Sequence, residues 1–225
     1  MFFSMQDILL LLPALILSIY AQFKVRSTFN KMSQVRSGSG MTGAQVAESL
    51  LRRNGINDVR VEQVEGSLTD HYDPAKKVLR LSEDVYHSNS LAALGVAAHE
   101  TGHAIQHQKA YGPLSLRSSM YPVANLGSTL AFPLFIAGML LRMSFLIDIG
   151  IILFMGAVVF TLITLPVEFN ASSRALAQLS SGGYLRSDEV QGARRVLNAA
   201  ALTYVAAAAM AVLQLVRLLI MRNED

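Results

Sequence analysis

His99-Glu100-Thr101-Gly102-His103 is the stretch that decides how this chain is read. Two histidines four residues apart on a helix lie about 40° apart around its axis and ~6 Å apart along it. Both imidazoles can then converge on one divalent ion. The flanks ask for the helix that this requires. Ser88 or Ser90 can cap it, Leu91 to about Gln108 continues it, and Tyr111-Gly112-Pro113 stops it. Glu100 falls on the adjacent flank, turned away from direct ligation and placed to take a proton from a water that the metal activates. Gly102 costs a helix about 1 kcal/mol relative to alanine. Its missing side chain leaves room beside the site for a substrate backbone.

The surroundings of this helix are apolar. Of the 225 residues, 52% are hydrophobic and 16% charged, a composition ordinary for a membrane protein. The net charge is only +3. The basic residues cluster beside apolar runs, which points to membrane orientation and away from nucleic-acid binding. The chain has no cysteine, so disulfides, thiol nucleophiles and Cys-ligated metal sites are excluded. That composition fits a reducing compartment.

Four apolar runs stand out: Ile8 to Phe23 (extendable toward Met1), Ser118 to Leu141, Ile149 to Val167, and Val196 to Val216. The last three hold about 19 to 24 uncharged residues, enough at ~1.5 Å per residue to cross ~30 Å of hydrocarbon. The first run has no basic residue ahead of it and is followed by Lys24, Arg26, Lys31 and Arg36. It reads as a retained anchor with its N-terminus outside, not as a secretory signal. Alternation divides the chain into an anchor (1–23), a cytoplasmic insert carrying the histidine helix (24–117) and a transmembrane hairpin (118–167). A cytoplasmic segment (168–195) and a last span with its tail (196–225) follow. Arg142 to Asp148 and Asp225 then fall outside. Arg174, Arg186, Arg194 and Arg195 agree with an inside location for 168–195, whereas Arg217 and Arg222 run mildly against the scheme.

Within the insert, Ser37-Gly38-Ser39-Gly40 reads as a flexible hinge. Thr42 with Gln45 reads as a capping box opening a helix that Asn54-Gly55 ends. Val59 to Val64 and Lys77 to Leu81 read as strands, and Asp70-His71-Tyr72-Asp73-Pro74 as loop, since Pro74 ends any ladder there. The fold class expected is therefore membrane α-helical with a small α+β insert.

A zinc site built on two histidines takes a third protein ligand and keeps a fourth position open. His107 lies ~12 Å along a straight helix from His99, too far to share the ion, and reads as a surface or supporting residue. Asp148 falls on the wrong side of the membrane, Asp188 and Glu189 lie in a polar segment that reads as solvated, and Glu224 and Asp225 are terminal. Glu168 remains. It follows the third apolar run immediately, and an acid there can also be a plain interfacial cap. An even number of crossings separates it from His99, so the hairpin returns it to the same side.

Three stretches now carry a resemblance. They are Asp70-His71-Tyr72-Asp73-Pro74, Val96-Ala97-Ala98-His99-Glu100-Thr101-Gly102-His103-Ala104-Ile105-Gln106, and Leu165-Pro166-Val167-Glu168-Phe169-Asn170-Ala171-Ser172. The chain resembles the YugP-type neutral zinc metallopeptidases of bacterial membranes over essentially its full length. Its layout is similar, more distantly, to the CAAX-processing and heat-shock membrane endopeptidases. The resemblance implies one Zn2+ per chain held by His99, His103 and Glu168, with Glu100 catalytic, in a bacterial plasma membrane. The related endopeptidases usually carry an aspartate four residues beyond the glutamate ligand, where this chain has Ser172, and Asn170 is a candidate substitute for its supporting role.

The expected activity is hydrolysis of peptide bonds in membrane or membrane-proximal proteins, with a peptide or protein substrate and the lipid bilayer as partners. His71 and Arg174 are candidates for oxyanion donation or for ordinary ion pairs. The Lys77 to Leu81 strand can pair with an extended substrate or serve as a core strand. Two other readings stand beside this one: a metalloprotease cutting within the bilayer, and a non-catalytic zinc-binding scaffold.

Overall fold

The computed structural model describes residues 5–224. The extension of the first span toward Met1 and the placing of Asp225 lie outside them. The chain is a helical membrane protein with a small α+β part. Four long helices, α1 (Met5–Ser33), α5 (Gly112–Leu141), α6 (Ser144–Ser181) and α7 (Ser187–Glu224), contain the four apolar runs. Each is long and apolar enough to cross a membrane. All four continue past the apolar stretch, because hydropathy marks only the length that lipid requires while polar residues extend the same helix. Glu168 consequently sits inside α6 and does not cap its end. Pro166 is tolerated within that helix, as prolines are in spanning helices.

The chain divides into two compact units. The first holds residues up to Gln22, Ser115–Pro166 and the chain from Leu202 onward. Small residues bring α5 and α6 together here. A Cβ on Gly127 would lie 2.5 Å from the Leu153 carbonyl oxygen, and one on Gly150 would lie 2.8 Å from that of Ala131. Close backbone approach of this kind is how helices associate where there is no water to expel. Phe135, Ile147, Ile151 and Leu218 form a buried cluster, while Leu9, Leu140 and Ile152 are more than 60% exposed. Many large apolar side chains left uncovered suit a lipid solvent. Arg217 and Arg222, the two cations at odds with the charge pattern, each meet a carboxylate. Arg217 Nε donates to Asp7 Oδ1 at 3.1 Å, and Arg222 Nε donates to Asp148 Oδ1 at 2.8 Å.

The second unit, Phe23–Leu114 with Val167–Ala201, contains α2 (Gly43–Arg53), β1 (Arg60–Val64), β2 (His71–Asp73), β3 (Val78–Ser82), α3 (Glu83–Tyr86) and α4 (Leu91–Gln108). Thr42 and Gln45 form the expected capping box, and Gly55 takes the left-handed conformation that ends the turn (φ +71°). Ser90 Oγ accepts from Ala93 N and starts α4. The sheet order is β1-β3-β2, with β1 parallel and β2 antiparallel to β3. One local expectation is revised and one open choice is decided. His71–Asp73 is a short strand, its ladder ending immediately before Pro74. Lys77 to Leu81 corresponds to the central strand β3, paired on both sides, so it has no free edge to offer a substrate.

Long-range contacts revise two more. Ser37 to Gly40 is pinned, not a free hinge: Ser37 N donates to the Asn89 carbonyl and Gly38 N to Glu189 Oε1 at 2.7 Å. Glu189 is accordingly buried at the start of α7 and accepts from Arg186 N with its other oxygen. A polar sequence hid it because its partner lies far away in the chain.

Helix α4 is buried along nearly its whole length. That explains its composition: alanine and glycine let neighbouring elements approach from every side. Ala92, Ala93 and Ala97 pack with Leu79, Leu81 and Val85 of the sheet and α3 side. Leu94 and Ala98 pack with Leu50, Leu179 and Leu197. Gly102 makes the tightest approach, since a Cβ there would lie 2.7 Å from the Ala171 carbonyl oxygen. The space beside Gly102 is therefore filled by the backbone of α6, not left for a substrate.

Gly102→Ala must push α6 away from α4 and should cost about 1–3 kcal/mol, read as a lowered unfolding midpoint of the purified protein in detergent. Gly112→Ala, where an added Cβ meets nothing within 4 Å, should leave the midpoint in place. Equal midpoints for the two variants would mean that the backbones do not meet at Gly102.

Candidate metal centre

His99 and His103 project from one side of α4, and Glu168 projects toward them from α6. Their possible ligand atoms all lie within 4.8 Å of one another. Glu168 Oε2 is 3.2 Å from His99 Nε2 and 3.6 Å from His103 Nε2. Zinc binds such atoms at ~2.1 Å, and the edges of a tetrahedron of that size are ~3.4 Å long. The observed separations bracket that value. Two imidazole nitrogens and one carboxylate oxygen are also a donor set that zinc accepts readily. The residues present therefore fit a zinc ion by spacing and by chemistry.

The rings are oriented from behind. They stand nearly perpendicular, at 85°, with centroids 4.8 Å apart. His99 Nδ1 lies 3.1 Å from Ser172 Oγ, and His103 Nδ1 lies 3.0 Å from Gln106 Oε1. With Nδ1 engaged on each ring, Nε2 is the nitrogen each presents to Glu168. Ser172 thus supports a histidine directly. Asn170 does not; its Oδ1 accepts from Gln106 Nε2 at 3.0 Å and from Arg174 Nε at 2.7 Å. Gln106 is the residue that sequence reasoning passed over. The available signal was its position, three residues after His103 on the same helix.

Burial shapes the electrostatics. The side chains of His99, His103 and Glu168 are 12%, 11% and 3% exposed. For His103, burial is the largest single influence and favours the neutral ring. The hydrogen bond and charge of Glu168, with the charge of Glu100, outweigh it together and hold the pKa above the ordinary histidine value. Glu100 is buried, and among the described residues its carboxylate receives no hydrogen bond. It differs in this from Glu168, which faces both rings. Asp70, at the start of β2, accepts from Ser82 N at 2.8 Å and from Ser82 Oγ. Burial pushes its carboxyl up, and the charge of Glu100 adds to that, against the lowering effect of the Ser82 bonds.

The remaining candidates lie in other arrangements. His107 Nδ1 is 2.8 Å from the Tyr72 hydroxyl and is not among the converging donors. His71 donates from Nδ1 to the Thr69 carbonyl and accepts at Nε2 from Arg80 Nη1. Both of its nitrogens are occupied, which removes it as an oxyanion donor in this arrangement. Arg174 lies over the Tyr111 ring, 5.9 Å from its centroid, while holding Asn170.

Comparison with known proteins agrees with this geometry. The sequence profile of the family described as "Putative neutral zinc metallopeptidase" matches residues 7–223. A curated relative from Bacillus subtilis (strain 168), named "Putative membrane protease YugP", is 55% identical over 210 residues, covering 93% of each chain. No solved structure gives a significant match. With the match running almost from end to end, this chain belongs to the family described as "Putative neutral zinc metallopeptidase".

Proposed function

We propose that the chain is a zinc endopeptidase of the bacterial plasma membrane that hydrolyses peptide bonds in membrane or membrane-proximal proteins. His99, His103 and Glu168 are the zinc ligands and Glu100 is the general base. The observation that carries the reading is the convergence of the two histidines on Glu168, with Oε2 3.2 Å and 3.6 Å from the two Nε2 atoms and all the possible ligand atoms within 4.8 Å of one another. One position along the same helix from His99 lies Glu100, a buried residue whose carboxylate receives no hydrogen bond among the described residues.

Zinc, when bound there, supplies Lewis acidity that polarises a carbonyl and makes a water a better nucleophile. The two carboxylates then have distinct tasks. Glu168 faces both rings and is committed to holding charge between them. Glu100, one position along α4 from His99, is free to accept a proton from the attacking water and return it to the leaving amine. The buried surroundings exclude competing water and strengthen both effects. Ser172 and Gln106 keep the rings from rotating away.

The cytoplasmic location of the site is part of the same proposal. Lys24, Arg26, Lys31 and Arg36 after the first apolar run, and Arg174, Arg186, Arg194 and Arg195 after the third, support it. Helix α4 is not one of the four helices with membrane-crossing length and apolarity, which favours cleavage outside the bilayer.

Glu100→Gln should retain one zinc per chain while hydrolysis of an unfolded protein substrate in detergent falls by about 10²–10⁴-fold. Glu168→Ala should instead lose zinc. Added zinc should raise the unfolding midpoint of the wild type and of Glu100→Gln, but not of Glu168→Ala. Hydrolysis that survives in Glu100→Gln removes the general base.

The natural absence of cysteine makes topology directly measurable. Ser67→Cys, in the exposed connection between β1 and β2, should react with a membrane-impermeant thiol reagent in inverted vesicles. Met143→Cys, in the exposed turn between α5 and α6, should react in intact spheroplasts. The opposite pattern reverses the orientation. Ala97 and Gln106 are unsuitable reporters, being fully buried.

A further inference from the structure

We propose that Gln106 is a positioning residue of the metal centre: its carboxamide locks His103 with the proton on Nδ1, so that the bare Nε2 lone pair faces the ion. The inference rests on the zinc reading above and adds to it the group that prepares one ligand.

The orientation of the Gln106 amide follows from partners that cannot change roles. Its Nε2 lies 2.8 Å from the Val167 carbonyl oxygen, which only accepts. The same nitrogen lies 3.0 Å from Asn170 Oδ1. Asn170 is oriented in turn by Arg174 Nε, which only donates, at 2.7 Å. A flipped Gln106 would set its oxygen against two other acceptors. The NH2 group therefore points to α6, and Oε1 is left facing His103 Nδ1 at 3.0 Å. An acceptor there requires Nδ1 to carry hydrogen. A neutral imidazole protonated on Nδ1 has its lone pair on Nε2, the atom that lies 3.6 Å from Glu168 Oε2.

Burial makes this arrangement demanding. Gln106 has no exposed surface, so water cannot replace any of its three bonds. A buried amide with every group partnered holds one geometry, and a broken partnership carries the full desolvation cost. The chain Arg174–Asn170–Gln106–His103 also begins on α6, the helix of Glu168, and ends on α4. It registers the two ligand-bearing helices against each other through side chains.

The test uses the full-length protein in detergent, with zinc and cobalt(II) as probes. Cobalt-loaded wild type should show two exchangeable, paramagnetically shifted ring N–H protons, one from each ligand histidine. Gln106→Met keeps the volume and removes the acceptor. One of the two protons should then exchange too fast to observe, and the zinc Kd, from competition with a chromophoric chelator, should rise about 10–100-fold. Asn170→Ala, at a half-buried position, removes one of the two anchors of the amide and should act in the same direction by a few-fold. That variant decides the matter should Gln106→Met not fold. Unchanged zinc affinity together with two protected protons in the folded variants overturns the role of Gln106 while leaving the zinc reading intact. A wild type that binds neither ion overturns both.

Discussion

Helices α4 and α6 meet backbone to backbone at Gly102, and the metal centre depends on that contact. The Ala171 carbonyl comes so near that even a methyl group on residue 102 would collide with it. Glu168 lies three residues before Ala171 and His103 one residue after Gly102, so the contact sets the distance across which imidazoles and carboxylate face each other. Side chains of this length have little reach to spare. A displacement of α6 by the width of a methyl group would open separations that now match the edges of a zinc tetrahedron. The glycine's loss of helix propensity, about 1 kcal/mol, is offset by the packing and hydrogen bonding that it permits.

Burial then gives similar groups different chemistry. Two glutamates act electrostatically on His103, and both are nearly inaccessible to solvent. Glu168 faces two rings and is suited to hold a cation. Glu100 receives no hydrogen bond among the described residues, which is what the proposed proton transfer draws on. Neither carboxylate is distinguished by residue type; the difference comes from the helix that carries it and the groups it faces. The same holds for the histidines. His99 and His103 converge, whereas His107, one turn further along the same helix, turns to the Tyr72 hydroxyl.

The first unit shows the complementary economy of an apolar solvent. Glycines at 127 and 150 let α5 and α6 approach through their backbones, and large apolar side chains are left uncovered. Two of its arginines meet carboxylates: Arg217 with Asp7, and Arg222 with Asp148. Pairing lowers the cost of holding a cation near hydrocarbon. It also gives a carboxylate partner to the two arginines that run against the charge pattern of the sequence.

Features written in neighbouring residues were legible without coordinates. The four apolar runs, the capping box at Thr42 and Gln45, the extent of the histidine helix and its paired imidazoles all depend on spacing along one segment. Glu168 was reachable too, because elimination among the few downstream acids is also an operation on the sequence. Tertiary structure decided what depends on a distant partner. It gave β3 a neighbour on each side, seated Glu189 beneath Gly38, filled the space beside Gly102 with α6, and made Gln106 part of the metal centre's support. A residue's local pattern states its periodicity and its chemistry. Which acceptor a buried amide meets is settled only when two helices far apart in the chain are pressed together.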